Sequence, residues 1–119
     1  MAKHAICHVE WASTNLEKSR TFYGGLFDWT FTPWGEEYMV FKGPETTGGG
    51  LMKVAEVKSG TSPAIYIEVD LIEPYLDRAK KLGGSVAVPR TEIPTVGWYA
   101  HLKDPDGNLV GLFQGNGAK

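Results

Sequence analysis

The chain has little cysteine. Cys7 stands alone, so no internal disulfide can staple the fold. That usage fits a reducing compartment and gives the expectation of a cytoplasmic protein. No apolar run approaches the ~18 residues that a membrane-spanning helix requires, and the first residues lack the apolar stretch of a signal peptide. There is no excess of positive charge either. Twelve Lys and Arg stand against 14 Asp and Glu, net −2, and the basic residues are scattered. Neither nucleic acid nor an anionic membrane is therefore the expected partner. With 119 residues, 42% of them hydrophobic, one domain over 1–119 can build a core.

What the chain does have is alternation punctuated by glycine. In HAICHVEWA (4–12), His4, Ile6, His8 and Glu10 share one face of a strand, and Ala5, Cys7, Val9 and Trp11 the other. The apolar face is expected against helices, which makes Cys7 a small buried hydrophobe rather than a nucleophile. A helix follows in TNLEKSRTFYGGLFDW, with Thr14 and Glu17 at capping-box spacing and Gly24-Gly25 as its stop. FTPW, EYMVFK and GLMKVAEV read as strands, and GPETTGGG (43–50) as a mobile loop. TTGGG is no phosphate loop, since the Lys-Ser/Thr and the helix that would present its amides are missing.

The pattern then restarts. AIYIEVD (64–70) is a strand, YLDRAKKLGG a helix ending at Gly83-Gly84, and SVAVPRTEIP, GWYAHLKD and NLVGLFQ are further strands. A shift of 56 residues places His8 on Ala64, Thr14 on Asp70 and Glu17 on Glu73. Each half has a Gly-Leu step near its end, at Gly50-Leu51 and Gly111-Leu112. Such a repeat predicts an α+β fold of two βαβββ modules, 1–57 and 62–116, whose curved mixed sheets form a half-open barrel with a cleft.

Three segments, HVEWASTNLEKSRTFYGGLFDW, YIEVDLIEPYLDRAKKLGG and GWYAHLKDPDGNLVGLF, carry a resemblance that spans nearly the whole chain. They resemble the vicinal oxygen chelate superfamily, the group of glyoxalase I, bleomycin-resistance proteins and extradiol dioxygenases. More narrowly, the chain is similar to the small glyoxalase-related proteins of mostly unassigned role. In metal-dependent members the ligands come from four symmetric strand positions, which fall here on His8, the neighbourhood of Gly50, Ala64 and Gly111. The last strand of those members runs DPDGN, two residues, then Glu; this chain has Gly111 in that place. The resemblance also implies a homodimer.

Those four places offer one imidazole, two glycines and an alanine, whereas a protein-held divalent ion normally takes three or more N, O or S ligands. The expectation is therefore no cofactor and no conventional metal. The alternative is an atypical nickel, zinc, manganese or iron site with His8 as a ligand. Glu10 and Glu68 could assist only from about 6.6 Å along their strands. His8 and Glu10 are the candidate catalytic residues, as general base or as relics of a ligand set. Gly50, Met52, Tyr66, Glu68, Trp98, Gly111 and Phe113 are the candidate ligand-binding residues. The two glycines are read as leaving cavity space, and the aromatic residues as a border suited to a flat, partly apolar molecule. His101 alternates opposite to Trp98 and Ala100 and receives no role.

The function so implied is metal-free binding of a small, partly apolar molecule in the cleft. Two enzymatic alternatives stay open: a glyoxalase-like lyase or isomerase (or dioxygenase) with an atypical metal, and a metal-independent proton-transfer enzyme.

Overall fold

The computed structural model describes residues 3–45 and 48–116. The elements are β1 (Ile6–Ser13), α1 (Leu16–Phe27), β2 (Thr30–Pro33), β3 (Tyr38–Lys42), β4 (Gly48–Lys53), β5 (Ala64–Glu68), α2 (Ile72–Lys81), β6 (Ser85–Ile93), β7 (Gly97–Lys103) and β8 (Leu109–Gly115). This is the α+β class with a duplicated βαβββ order. The chain divides into two compact units: one holds His8–Ala64, the other the segment up to Cys7 together with the chain from Ile65 onward. The first unit has strand order β2-β3-β4-β1, the second β5-β8-β7-β6. In each, the first and last strands of the module run parallel and the remaining pairs antiparallel.

In the first unit, helix α1 begins one residue later than the capping-box spacing predicts. Asn15 is the N-cap, and its side chain accepts the Lys18 N–H at 3.0 Å. Buried Ser13 holds the approach, accepting the Asn15 N–H and sharing a 2.6 Å hydrogen bond with Ser19. The helix does not stop at Gly24-Gly25. It runs to Phe27 and ends where Asp28 turns left-handed (φ 62°) and donates its N–H to the Gly24 carbonyl. A Cβ at Gly24 would reach only ordinary contact distance from the Trp29 carbonyl and the Phe31 ring. The helix buries no residue completely and meets its sheet through rings. Tyr23 stacks on Trp11 at 5.3 Å, and Trp29 lies parallel to Phe41 at 4.6 Å. Met39, Phe41 and Leu51 are buried on the same side of the sheet.

The expected glycine loop is largely strand. Gly48, Gly49 and Gly50 open β4, and Gly49 sits opposite Val9 and Phe41. Thr46 and Thr47, the start of that stretch, lie outside the described residues. A Cβ on Gly49 would overlap the Val9 carbonyl oxygen and come within 2.8 Å of the Phe41 ring. Glycine here permits close backbone approach, which is why a sequence that reads as a flexible connection pairs on both sides.

In the second unit, Val69, Ile72, Leu76, Ala100 and Leu112 form a buried cluster. Ile72 and Leu76 are one turn apart on α2, so they face the sheet together. The start of α2 has no side-chain cap of its own: Asp70 accepts the Leu71 N–H, and the amide of buried Gln114 accepts the Ile72 N–H at 2.9 Å. The strand β8 thus fixes where the helix starts, which no local spacing could report. Arg78, Lys80 and Lys81 in the last turn suit the negative end of the helix dipole.

The turn between β7 and β8 is organised by Asp104. Its carboxylate accepts the N–H groups of Asp106 and Asn108 and the Asn108 side-chain amide, while Gly107 takes φ +88°. Hydrogen bonding by Asn108, first its side chain and then its backbone, holds the exposed Asp104 carboxyl below the ordinary carboxylate value.

Gly49→Ala is expected to destabilise the protein by on the order of 3 kcal/mol or more, since neither the Val9 backbone nor its neighbour ring can retreat cheaply. Gly25→Ala, where an added Cβ meets nothing within 4 Å, is expected to be neutral or stabilising. Urea unfolding of the two variants checks the contrast.

Candidate functional site

The face of each sheet turned away from its helix carries the candidate residues. In the second unit the register sets them in ranks. Tyr66 on β5 is level with Gly111 on β8, and Gly111 with His101 on β7. The next rank is Glu68, Phe113 and Tyr99. Alternation places all of these opposite Val69, Ala100 and Leu112, which face α2.

Gly111 is a seat. A Cβ there would overlap the Tyr66 ring. With only hydrogen at that position the ring lies across β8, and its hydroxyl meets His101 Nε2 at 2.7 Å, two strands away. Tyr66 is buried, His101 half-buried. The Tyr99 ring centroid lies 5.3 Å from that of the imidazole. Burial pushes the His101 pKa below its ordinary 6.5, so at neutral pH the imidazole is uncharged. The phenol then donates to Nε2 when the imidazole proton sits on Nδ1.

The first unit builds the same device with the roles exchanged between strands. His8 is on the first strand and Tyr38 on the third, joined Nε2 to hydroxyl at 2.9 Å. A Cβ at Gly50 would overlap the Tyr38 hydroxyl and ring. Burial lowers the His8 pKa as well. Glu10 is level with Gly50, and Met52, more than a third exposed, with Tyr38.

The structure thus corrects the reading of both glycines. They do not leave empty space at the strand positions; each gives its place to a tyrosine ring. It corrects Trp98 too. Ala100, two residues on, is wholly buried against α2, and Trp98 packs on that same cluster with the Arg90 guanidinium 5.2 Å over its ring. Trp98 therefore faces away from Tyr66 and His101. His101, given no role by sequence, is the partner that Tyr66 requires. The signal was its parity with Gly111, but the pairing depends on a register three strands wide. Phe113 and Tyr66 do share the face that alternation predicts.

Glu68 stands apart. Its Oε1 is buried and has no hydrogen-bond partner among the described residues. A buried acceptor left unmade costs on the order of 1–3 kcal/mol, more if charged. The half-buried Cys7 thiol is raised above its ordinary 9.0 by burial first and by the Glu68 charge second, so it stays protonated and poorly nucleophilic at neutral pH.

The donor sets do not fit a protein-held divalent ion. Within the first unit His8 is already engaged by Tyr38, and Gly50 offers no donor. Ala64 and Gly111 offer none either. Among the described residues no three His, Cys, Asp or Glu side chains converge.

Because the unfolded chain binds protons on these histidines more readily than the folded one, stability falls as pH drops below about 6.5, down through the lowered folded pKa values. His101→Gln is expected to flatten that fall, measured as unfolding midpoints from pH 7.5 to 5. Gly111→Ala in the wild-type background is expected to cost about 2–3 kcal/mol through overpacking. In a Tyr66→Ala background the added cost shrinks, a coupling that a double-mutant cycle reads directly.

A family model described as the Glyoxalase/Bleomycin resistance protein/Dioxygenase superfamily matches residues 5–112. The chain is 26% identical to the "Putative glyoxylase CFP32" of Mycobacterium tuberculosis, over 91% of this chain and 44% of that protein; it thus spans less than half the length of the curated relatives it matches. Among solved structures it resembles a glyoxalase/bleomycin resistance protein/dioxygenase superfamily member from Vibrio splendidus (TM-score 0.69, 16% identity, 90% of this chain and 96% of that one). It also resembles methylmalonyl-CoA epimerase from Mycobacterium tuberculosis (TM-score 0.71, 13% identity, 97% and 92%). The extent of the family match, together with the duplicated βαβββ order, places this chain in the glyoxalase/bleomycin resistance/dioxygenase superfamily.

Proposed function

We propose that this protein binds a small, partly apolar molecule on the helix-averted faces of its sheets, without a conventional metal centre. The observation that carries the reading is the seating of Tyr66 on Gly111 and of Tyr38 on Gly50, each phenol joined to an imidazole. At Gly50 and Gly111, two of the strand positions that the resemblance assigns to metal ligands, this chain seats phenol rings whose hydroxyls meet neutral imidazoles. Phe113 and Tyr99 border one of them in register. Such a face offers stacking surface and neutral donors and acceptors, the chemistry that holds a planar organic molecule.

A second reading is supported by the same pairs. A phenol hydrogen-bonded to a neutral imidazole can hold or pass a proton, as general acid–base catalysis requires. On that reading His101 and Tyr66 join His8 and Glu10 as candidates for metal-independent proton transfer.

Calorimetric titration of the purified protein with nickel, zinc, manganese and iron(II) is expected to show no tight stoichiometric uptake. Uptake lost in His8→Ala would overturn the metal-free reading. In proton–carbon NMR spectra, small aromatic molecules are expected to shift the ring signals of Tyr66, Tyr99, His101 and Phe113. His101→Ala is expected to weaken that binding by about tenfold, the value of one good hydrogen bond in a partly buried site.

A further inference from the structure

Glu68 is the feature that the proposed function leaves unexplained. Its Oε1 is sequestered from solvent, yet no donor reaches it among the described residues. Phe113 is level with Glu68, and Tyr99 with Phe113, while the Cys7 thiol is close enough to feel the Glu68 charge. Gly115, the next residue of β8 on this face, adds no bulk. A Cβ there would touch only the edge of Phe113, at 3.9 Å. Along one side stands the Tyr66–His101 pair, which carries no charge at neutral pH. The side chains that share this parity on β7 are Tyr99, His101 and Lys103, and only exposed Lys103, beyond His101 at the strand end, is cationic. Arg90, the other cation nearby, is committed to Trp98 on the opposite face and to Glu73.

A carboxylate oxygen without a donor, in register with Phe113 and Tyr99 and one rank from a neutral phenol–imidazole pair, is complementary to one kind of group. It suits a cation that carries N–H donors and an apolar body. A carboxylate-bearing ligand would meet repulsion from Glu68, and a neutral alcohol would satisfy the acceptor without using the charge. We infer that the second unit's helix-averted face recognises a small arylalkyl ammonium ion, its N–H groups on Glu68 and its ring against Phe113 and Tyr99. This inference rests on the binding function proposed above and deepens it to a ligand class.

Three probes of one shape and different charge test it: benzylammonium, benzyl alcohol and benzoate, titrated into the full chain and followed by NMR. Benzylammonium is expected to bind about tenfold more tightly than benzyl alcohol, one charge-assisted contact in excess, and benzoate least well. Glu68→Gln is expected to erase the preference while leaving benzyl alcohol bound. Glu68→Asp, which keeps the charge but retracts it, is expected to retain the order of affinities at reduced spread. If benzyl alcohol binds as tightly as benzylammonium in the wild-type protein, the ammonium assignment is wrong, and the binding function stands. If none of the three probes shifts the Tyr66, Tyr99, His101 or Phe113 signals, both the assignment and the binding function fail. The wild-type comparison decides even where a Glu68 variant does not fold.

Discussion

A tyrosine ring laid over a strand glycine, with its hydroxyl on an imidazole, organises the candidate face of each unit. Three requirements meet at Gly111. The strand β8 must pair on both sides, the Tyr66 ring must cross it, and the hydroxyl must arrive at His101 within hydrogen-bonding distance. Only a residue without a Cβ meets all three. The same logic governs Gly50 under Tyr38, although there the ring leans diagonally from a position level with Met52. Because burial lowers the pKa of both imidazoles, each phenol–imidazole pair is polar without being charged at neutral pH.

The duplication makes the comparison sharper. Histidine sits on the first strand and tyrosine on the third in one unit, and the order is reversed in the other. The glycine of the fourth strand is constant. An arrangement that survives exchange of its partners is held by the geometry of the pair and not by either residue alone. The surrounding side chains then differ: the first unit has Glu10 and Met52 near its pair, the second Glu68, Phe113 and Tyr99. Two copies of one hydrogen-bonding device thus sit in different settings, one beside a thioether and one beside aromatic rings.

Much of the fold was legible in the sequence because it is written in local patterns. Strand alternation, the restart at Ala64 and the DPDGN turn each need only a few consecutive residues. Strand faces were legible wherever parity could be counted from a secure residue, as for Tyr66 and Phe113. The Gly24-Gly25 pair reads as a helix stop, but the helix runs on to Phe27 and is closed by left-handed Asp28. The other errors share a cause. Gly48 to Gly50 read as a loop because close strand approach leaves no local mark. Trp98 was placed by its chemistry, where its parity with Ala100 would have put it against α2. His101 was set aside because its partner is on a strand that is not its neighbour. Tertiary distance decided each case, and a single sequence carries tertiary distance only through register.

The seat at Gly111 also constrains how this protein can change over generations. A side chain introduced there alone collides with the ring. The ring removed alone leaves an unfilled hollow and deprives His101 of its hydroxyl partner. A larger residue at position 111 is therefore accommodated only if position 66 alters with it. Substitutions at positions 66 and 111 are thus coupled, each costing less in the presence of the other.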